Sequence, residues 1–109
     1  MTEFIQIVTT VETAADAERI ANALLTQRLA ACVQIVGPIT SRYWWQGTIE
    51  QATEYQCLIK SRQELFAAVE AAIVAVHPYR IPEILAIPVT AGGTGYLAWL
   101  TAELRPEKP

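Results

Sequence analysis

His77 is the one histidine in the chain, and it lies directly before a proline in the segment His77–Glu83. Histidine is the commonest metal-binding side chain, so this residue is a candidate ligand for a metal ion or an anion. A structural role is the alternative, because a histidine at the C-terminal end of a helix can bond a backbone carbonyl and interact favourably with the helix dipole. The sequence leaves both roles open.

A single imidazole cannot hold a metal ion tightly, so a site at His77 needs further ligands from the fold or from another subunit. The candidates are Cys32, Cys57, Glu54 and Glu83. Imidazole with thiolate or carboxylate suits copper or zinc better than calcium or magnesium. The two cysteines form no Cys-x-x-Cys pair, which excludes a cysteine-rich zinc site within one chain. Each cysteine can instead be a small buried hydrophobe.

Few motifs support an enzyme. A serine–histidine–carboxylate triad needs an activated serine, and the chain has no Gly-x-Ser-x-Gly elbow. The loop Gly92–Gly95 lacks the Lys-Ser/Thr ending of a P-loop and the spacing of a dinucleotide-binding fingerprint. A hydrolase that uses His77 with Glu83 or Glu54 is kept as a third hypothesis. We predict that the protein is not an enzyme.

The composition predicts association with a protein partner or with another copy of the chain. The chain has 109 residues and a mass of 12.0 kDa, enough for one domain. Hydrophobic residues make up 52% of it and charged residues only 17%, against roughly 25% charged residues in an average soluble domain. A domain of this size leaves about a third of its unfolded-chain surface exposed, so part of that surface must be apolar.

Charge and hydropathy exclude several other partners. The net charge is −3 and the basic residues are scattered, so no nucleic-acid footprint is present. No apolar run approaches the roughly 20 residues of a membrane-spanning helix, and we predict no membrane partner. The start Met1–Glu3 lacks the features of a secretory signal, which predicts a cytoplasmic protein.

Hydrophobic periodicity predicts the order strand, helix, strand, strand, helix, strand, and then one further helix. Thr13 is expected to cap the first helix, whose apolar stripe extends over Ala17–Arg28. A capping box at Ser61–Glu64 predicts the start of the second helix, which ends near His77, and Thr94 is expected to cap the third. The predicted strands are Glu3–Thr10, Ala31–Val36, the two arms of a hairpin over Ile39–Lys60, and Glu83–Pro88.

This order predicts an α+β fold, the ferredoxin-like β-α-β-β-α-β arrangement with a four-stranded sheet and helices on one face. Residues 1–104 form the single domain, and residues 105–109 form a polar tail. The central hairpin turns at Gln46–Gly47 and carries Tyr43, Trp44 and Trp45. It is too long to be buried in so small a domain, so we expect it to project and pair with another subunit.

The chain resembles the CutA divalent-cation (copper) tolerance family over essentially its whole length. The aromatic hairpin before Gly47 and the His-Pro-Tyr-x-x-Pro-Glu segment are the most specific motifs. The segments that carry the resemblance are Leu29–Val33, Ser41–Glu50, Ile59–Ser61, His77–Ile84 and Tyr96–Leu100. The resemblance implies a ferredoxin-like subunit in a compact homotrimer, similar to the nitrogen-regulatory PII proteins. It also implies a cytoplasmic protein linked to tolerance of copper and other divalent metals, with no established enzymatic reaction.

The resemblance also implies site residues. His77, with Cys32 and Glu83, is expected to bind Cu(II) or another divalent cation weakly. Some members of the family offer copper two further ligands, and the matching positions in this chain are Thr9 and Val76. A cleft between subunits is expected to be lined by Trp45, Glu54, Lys60, Tyr79, Tyr96 and Trp99.

Two main hypotheses follow. The first is a trimeric, non-enzymatic divalent-cation tolerance protein that binds copper or a related ion and responds to it. The alternative is a PII-like signalling or scaffold trimer that holds a small anionic ligand in the intersubunit cleft, with Lys60 and Arg80 as counter-charges.

Overall fold

The computed structural model describes residues 3–106 of the chain. These residues contain four strands and three α-helices, and a short 3-10 turn over Gln63–Leu65 precedes the second helix. The elements are β1 (Phe4–Val11), α1 (Ala14–Thr26), β2 (Cys32–Trp45), β3 (Thr48–Arg62), α2 (Phe66–Val76), β4 (Leu85–Pro88) and α3 (Thr94–Glu103).

The strands form one antiparallel sheet in the order β2-β3-β1-β4. β1 is therefore central, between β3 and the short edge strand β4. With α1 and α2 as the connections, this is the β-α-β-β-α-β arrangement that the sequence predicts. Among residues 3–106, no helix is long and apolar enough to cross a membrane.

The hydrophobic core lies on one face of the sheet. Ile7 and Ile59, opposite each other on β1 and β3, are fully buried with Ile20 of α1 and Ile73 of α2. Strand side chains alternate between faces, so the residues between them point the other way. We call that side of the sheet, which α1 and α2 do not cover, the open face.

The open face carries large apolar side chains that remain accessible. Ile87 lies opposite Gln6 and Leu85 lies opposite Val8 in the pairing of β4 with β1. Both are about half-exposed, as is Val36 of β2. Accessible apolar side chains grouped on one face of a sheet are typical of an interaction surface.

Both ends of α1 show regular capping. The Thr13 hydroxyl accepts the Asp16 N–H at 3.1 Å, which confirms the predicted N-cap. The predicted apolar stripe is confirmed, because Ala17, Ile20, Ala21 and Leu24 are buried, but the helix ends at Thr26, two residues before Arg28. Arg28 has a φ of 54°, and the N–H groups of Arg28 and Leu29 bond back to helix carbonyls in a Schellman motif.

Two arginines join the C-terminal ends of α1 and α3. The Arg28 guanidinium donates to the Glu103 carbonyl at 2.8 Å, at the end of α3. The Arg105 guanidinium donates in return to the Gln27 carbonyl, at the end of α1. The predicted polar tail 105–109 thus begins with a bonded residue, and its last three residues lie outside the described part of the chain.

The start of the second helix was predicted wrongly. Ser61 does not cap it, because Ser61 lies in β3 and its hydroxyl donates to the Leu29 carbonyl at 2.7 Å. The helix begins only at Phe66, after the 3-10 turn. The cap of α3 also differs, since Gly93 and not Thr94 holds the N-cap position.

Two strand boundaries differ as well. Gly37–Pro38 was expected to end the second strand, but β2 continues through it to Trp45, and a register shift between Val36 and Ile39 absorbs the interruption. β4 begins at Leu85 and not at Glu83. The turn at Gln46–Gly47 is confirmed, because both residues have positive φ angles.

Gly37 is required where β2 packs against the Tyr55 side chain of the neighbouring strand β3, and a substitution there tests this packing. A Cβ atom at Gly37 comes within 2.4 Å of the Tyr55 ring. We expect Gly37→Ala to lower the free energy of unfolding by about 1–3 kcal/mol, as overpacking does. The measurement is chemical denaturation at a fixed protein concentration.

Gly95→Ala is the matched control. It adds the same methyl group inside α3, where a Cβ meets nothing within 4 Å. Alanine favours helix by up to about 1 kcal/mol, so this variant is expected to be as stable as the parent or slightly more stable. Equal stability of the two variants contradicts the packing role of Gly37.

Candidate functional site

His77 terminates α2 and fastens the following loop to the sheet. Its Nε2 lies 2.9 Å from the Thr10 carbonyl of β1, and its Nδ1 accepts the Tyr79 N–H at 3.1 Å. Because the carbonyl can only accept, Nε2 carries the proton and the ring is neutral. The imidazole is 8% exposed, and its ring centroid lies 4.9 Å from that of Tyr79.

The electrostatic setting keeps this imidazole neutral. Burial lowers the pKa of His77, while the bond to Thr10 and the charges of Asp16 and Glu54 oppose this shift without reversing it. Both ring nitrogens are occupied. The structural role that the sequence left open is therefore present in full, and a metal ion must displace one of two hydrogen bonds to reach the ring.

Glu54 and Tyr79 form the second polar contact of the site. The Tyr79 hydroxyl donates to the Glu54 carboxylate at 2.6 Å, and Glu54 is only 6% exposed. Burial and the neighbouring carboxylate raise the pKa of Tyr79, so the phenol stays protonated and remains a donor. The bond connects β3 to the loop that follows His77.

These contacts border a cleft of about 580 Å³ along the long hairpin. One wall is the same-face row Ser41, Tyr43 and Trp45 of β2. The opposite wall is the loop after His77, and the cleft combines aromatic, cationic and acidic groups. Its lining residues are Thr10, Ser41, Arg42, Tyr43, Trp45, Glu54, Tyr79, Arg80, Ile81 and Glu83.

The predicted cleft residues, with the predicted metal ligands Cys32 and Glu83, fall into two groups in one chain. Trp45, Glu54 and Tyr79 line the cleft together, with Glu83 beside them. The remaining ones lie elsewhere on the open face, near the other end of β3. This second group consists of Cys32, Lys60, Tyr96 and Trp99.

Contacts within the second group are local. Lys60 lies opposite Cys32 in the pairing of β2 with β3, and its ammonium group donates to the Gln6 side chain. Burial raises the pKa of Tyr96, and the neighbouring Cys32 side chain adds to this shift. The Tyr96 and Trp99 rings lie 5.6 Å apart. Glu54 is six residues along β3 from Lys60, about 20 Å at the rise of a strand.

The described residues of one chain contain no group of three or more histidine, cysteine or acidic side chains that could hold a metal ion. His77 and Glu83 lie near the cleft, whereas Cys32 belongs to the second group. The other cysteine, Cys57, is buried under α1 and its thiol lies 3.7 Å from the Ala17 carbonyl. Burial raises the pKa of Cys57 to about 11, so it is a small buried hydrophobe, as the sequence allowed.

Five lining residues were not predicted to line the cleft, namely Thr10, Ser41, Arg42, Tyr43 and Ile81. Thr10 lines the cleft because its strand ends under the His77 ring. Ser41 and Arg42 line it because they lie on the hairpin. The alternation Ser41, Tyr43, Trp45 is a signal that could have found the hairpin wall, since alternate residues of a strand share one face. No pattern in the sequence links Thr10 to a residue so distant.

Fold and cleft together define a class, which is a ferredoxin-like α+β protein with an aromatic-lined cleft beside a long hairpin. Within that class, the chain belongs to the CutA1 divalent ion tolerance protein family, whose sequence model matches residues 5–103. The divalent-cation tolerance protein CutA of Pectobacterium atrosepticum is 46% identical over 89 residues, which are 82% of this chain and 81% of that protein. The CutA protein of Archaeoglobus fulgidus is 48% identical over 85 residues, 78% and 82% of the two chains.

Solved structures agree with this assignment. The divalent cation tolerance protein of Thermus thermophilus has a TM-score of 0.90 at 39% identity, covering 93% of this chain and 98% of its own. CutA1 of Oryza sativa has a TM-score of 0.93 at 35% identity and covers 97% of each chain. The Archaeoglobus fulgidus structure, described as a periplasmic divalent cation tolerance protein, has a TM-score of 0.89 at 43% identity and covers 92% of this chain and 97% of its own.

The neutral His77 makes stability depend on pH. Because burial lowers its pKa in the folded protein, the unfolded chain binds a proton more readily. The free energy of unfolding is expected to fall as the pH drops below about 6.5, the usual histidine value, until the folded pKa is passed. Denaturation curves between pH 7.5 and 5.5 measure this slope.

His77→Gln isolates the effect, because the amide is neutral throughout and can still donate to the Thr10 carbonyl. The chain has no other histidine, so most of the slope in this range is expected to disappear in the variant. An unchanged slope contradicts the neutral, doubly bonded imidazole.

Proposed function

We propose that the protein is a homotrimeric, non-enzymatic divalent-cation tolerance protein that binds Cu(II) or a related divalent ion weakly. The observation that carries the assembly is the open face, on which Val36, Leu85 and Ile87 are accessible apolar side chains. The relatives are described by tolerance to divalent cations, and their descriptions name no reaction.

The hairpin supports the same assembly. Trp44 is 72% exposed near its tip, and Tyr43 and Trp45 are about half-exposed. Aromatic residues of this size contribute large apolar areas to interfaces between subunits. The unpaired outer edge of β2 adds backbone groups that a second copy can bond. A closed trimer covers these surfaces without adding another protein.

A charge placed on the open face is expected to disrupt the trimer. Ile87→Glu puts a carboxylate at a position 48% exposed in one chain, and burying an unpaired charge costs several kcal/mol. Light scattering coupled to size exclusion should give about three times 12.0 kDa for the parent and a lower mass for the variant.

Val74→Glu is the matched control. Val74 is 56% exposed on α2, on the opposite side of the sheet, so the same charge should leave the mass unchanged. A parent mass near that of one chain overturns the proposed trimer. Equal masses for the two variants contradict a role of the open face in the interface between subunits.

The proposed metal ligands are His77, Cys32 and Glu83, and the geometry supports a weak site that needs more than one subunit. Cys32 belongs to the second group of one chain and His77 to the cleft, so a set that contains both combines residues of neighbouring copies. Coordination at His77 competes with its bonds to Thr10 and Tyr79. This competition weakens binding relative to a free imidazole.

Calorimetric titration of the metal-free protein with Cu(II) and Zn(II) tests this site. We expect His77→Ala to weaken copper binding about tenfold or more, and Cys32→Ser to weaken it as well. Glu70→Gln, on the exposed side of α2, is the control and should bind as the parent does. Binding that is unchanged in His77→Ala contradicts the role of the imidazole.

A second candidate is a PII-like signalling or scaffold trimer that holds a small anionic ligand in the cleft. The observation that favours it is the pair Arg42 and Arg80 among the lining residues. Lys60, which the sequence analysis grouped with Arg80, is instead bonded to Gln6 and does not line the cleft.

We propose the cytoplasm as the location. Both cysteines are free, which suits a reducing compartment. The periplasmic description of the Archaeoglobus fulgidus structure applies to that protein.

A further inference from the structure

Two charged side chains on the open face have no partner of opposite charge within one chain. Glu54 and Lys60 both belong to β3, and their even spacing places them on the same side of the sheet, away from the core. Neither takes part in an ion pair among residues 3–106. The ion pairs of these residues are Arg19–Asp16, Arg28–Glu103 and Arg62–Glu64.

Glu54 lacks a counter-charge in one chain although it is buried. Only 6% of its surface is exposed, and the Tyr79 hydroxyl that donates to it is neutral. Arg42 and Arg80 line the same cleft, but both are exposed and neither forms an ion pair with Glu54 in the described chain. Charges that stay in water are screened, so without contact these guanidinium groups compensate the carboxylate only weakly.

Lys60 carries the opposite charge and also lacks an ionic partner. Its ammonium group donates to the neutral Gln6 side chain, and its cross-strand neighbours are Gln6 and Cys32. Of the other cations among residues 3–106, three arginines have carboxylate partners and three are exposed. Lys60 is therefore the half-buried cation that enters the proposed subunit interface without a carboxylate.

The two side chains cannot satisfy each other within one copy. They are six residues apart on one strand, about 20 Å at the rise of a strand and far beyond ion-pair distance. A closed ring of three copies removes this separation, because its contacts are heterologous and bring two different parts of the surface together. The cleft of one copy can then face the second group of the next copy.

The surroundings of both charges suit such a contact. Two rings of the cleft wall, Tyr43 and Trp45, lie on the side of the carboxylate, and Tyr96 and Trp99 belong to the group that contains the ammonium. All four rings are about half-exposed in one chain. Aromatic residues are enriched in the buried centre of interfaces, where they exclude water from polar contacts.

We propose that Glu54 of one copy forms an ion pair with the partner's Lys60, so that a neighbouring subunit completes each cleft. This inference rests on the proposed trimer and names the contact that joins its subunits. Each copy contributes its carboxylate to one neighbour and its ammonium group to the other, which gives three equivalent pairs. A ligand of the cleft then meets a site built from two chains.

A double-mutant cycle in the full-length chain tests the pair. The variants are Glu54→Gln, Lys60→Gln and the two combined, and both amides keep hydrogen-bonding groups for Tyr79 and Gln6. Light scattering over a concentration series measures trimer dissociation, with the same guanidinium chloride concentration in every sample.

We expect each single substitution to raise the dissociation constant about tenfold or more. The double variant is expected to exceed neither single variant by more than about threefold, because the second charge no longer has a partner to lose. Residues about 20 Å apart in one chain act additively, so this non-additivity requires contact between copies.

Arg19→Gln combined with Glu70→Gln is the matched control. Both charges are exposed on the helix side of the sheet, so their loss is expected to change the dissociation constant by less than about threefold. Lys60→Arg keeps the charge and should stay within about threefold of the parent, whereas Lys60→Glu opposes two carboxylates and should weaken the trimer about a hundredfold or more. These two variants decide the question if Glu54→Gln does not fold.

Three outcomes overturn the proposed pair. Effects of Glu54→Gln and Lys60→Gln that multiply mean that the two charges act independently. Non-additivity of Glu54→Gln with Arg42→Gln or Arg80→Gln, and not with Lys60→Gln, assigns the counter-charge to the arginines of the cleft. Equal dissociation of Lys60→Arg and Lys60→Glu excludes Lys60 from the interface. A parent mass near 12.0 kDa is a different result, because it overturns the proposed trimer itself.

Discussion

A four-stranded sheet has two faces, and in one copy of this chain the helices α1 and α2 cover only one of them. That asymmetry follows from the crossover connections, which both pass over the side that holds Ile7 and Ile59. The other side keeps its alternate strand residues facing outward, Ile87 among them. The cleft and the proposed trimer both depend on this uncovered side, because Tyr43, Trp45 and Glu54 of the cleft point away from the core.

Local chemistry explains which parts of the fold could be predicted. Thr13 caps α1 through its own side chain, and Gln46–Gly47 turns the chain through its own backbone preference, so neighbouring residues suffice. Ser61 has the right neighbours for a cap but bonds the Leu29 carbonyl, a partner that only the tertiary fold supplies. The strand break expected at Gly37–Pro38 failed for a similar reason, because pairing with β3 continues on both sides of it.

In the candidate site, the features that the sequence predicts and those that depend on the tertiary fold are separated more sharply. Residue types identified His77, Glu54 and Tyr79 as chemically interesting, and in one chain Glu54 and Tyr79 line a cleft with His77 bonded beside them. The sequence does not reveal which of these groups form hydrogen bonds with each other or with the backbone. The Thr10 carbonyl that occupies His77 has no side-chain signature, and it decides whether the imidazole is a free ligand or a structural link. Equally, the separation of Lys60 from the cleft depends on its position along β3 and not on residue type.

The two arginine hydrogen bonds that join the C-terminal ends of α1 and α3 have a consequence for folding during synthesis. Arg28 bonds a carbonyl 75 residues further along, and Arg105 bonds one 78 residues back. On the ribosome, α1 emerges long before its partner, so water must hold the Gln27 carbonyl until α3 is synthesised. Segments near a helix end that lack their bonds fray readily. The contacts made at the end of α3 thus complete the hydrogen bonding at the end of α1.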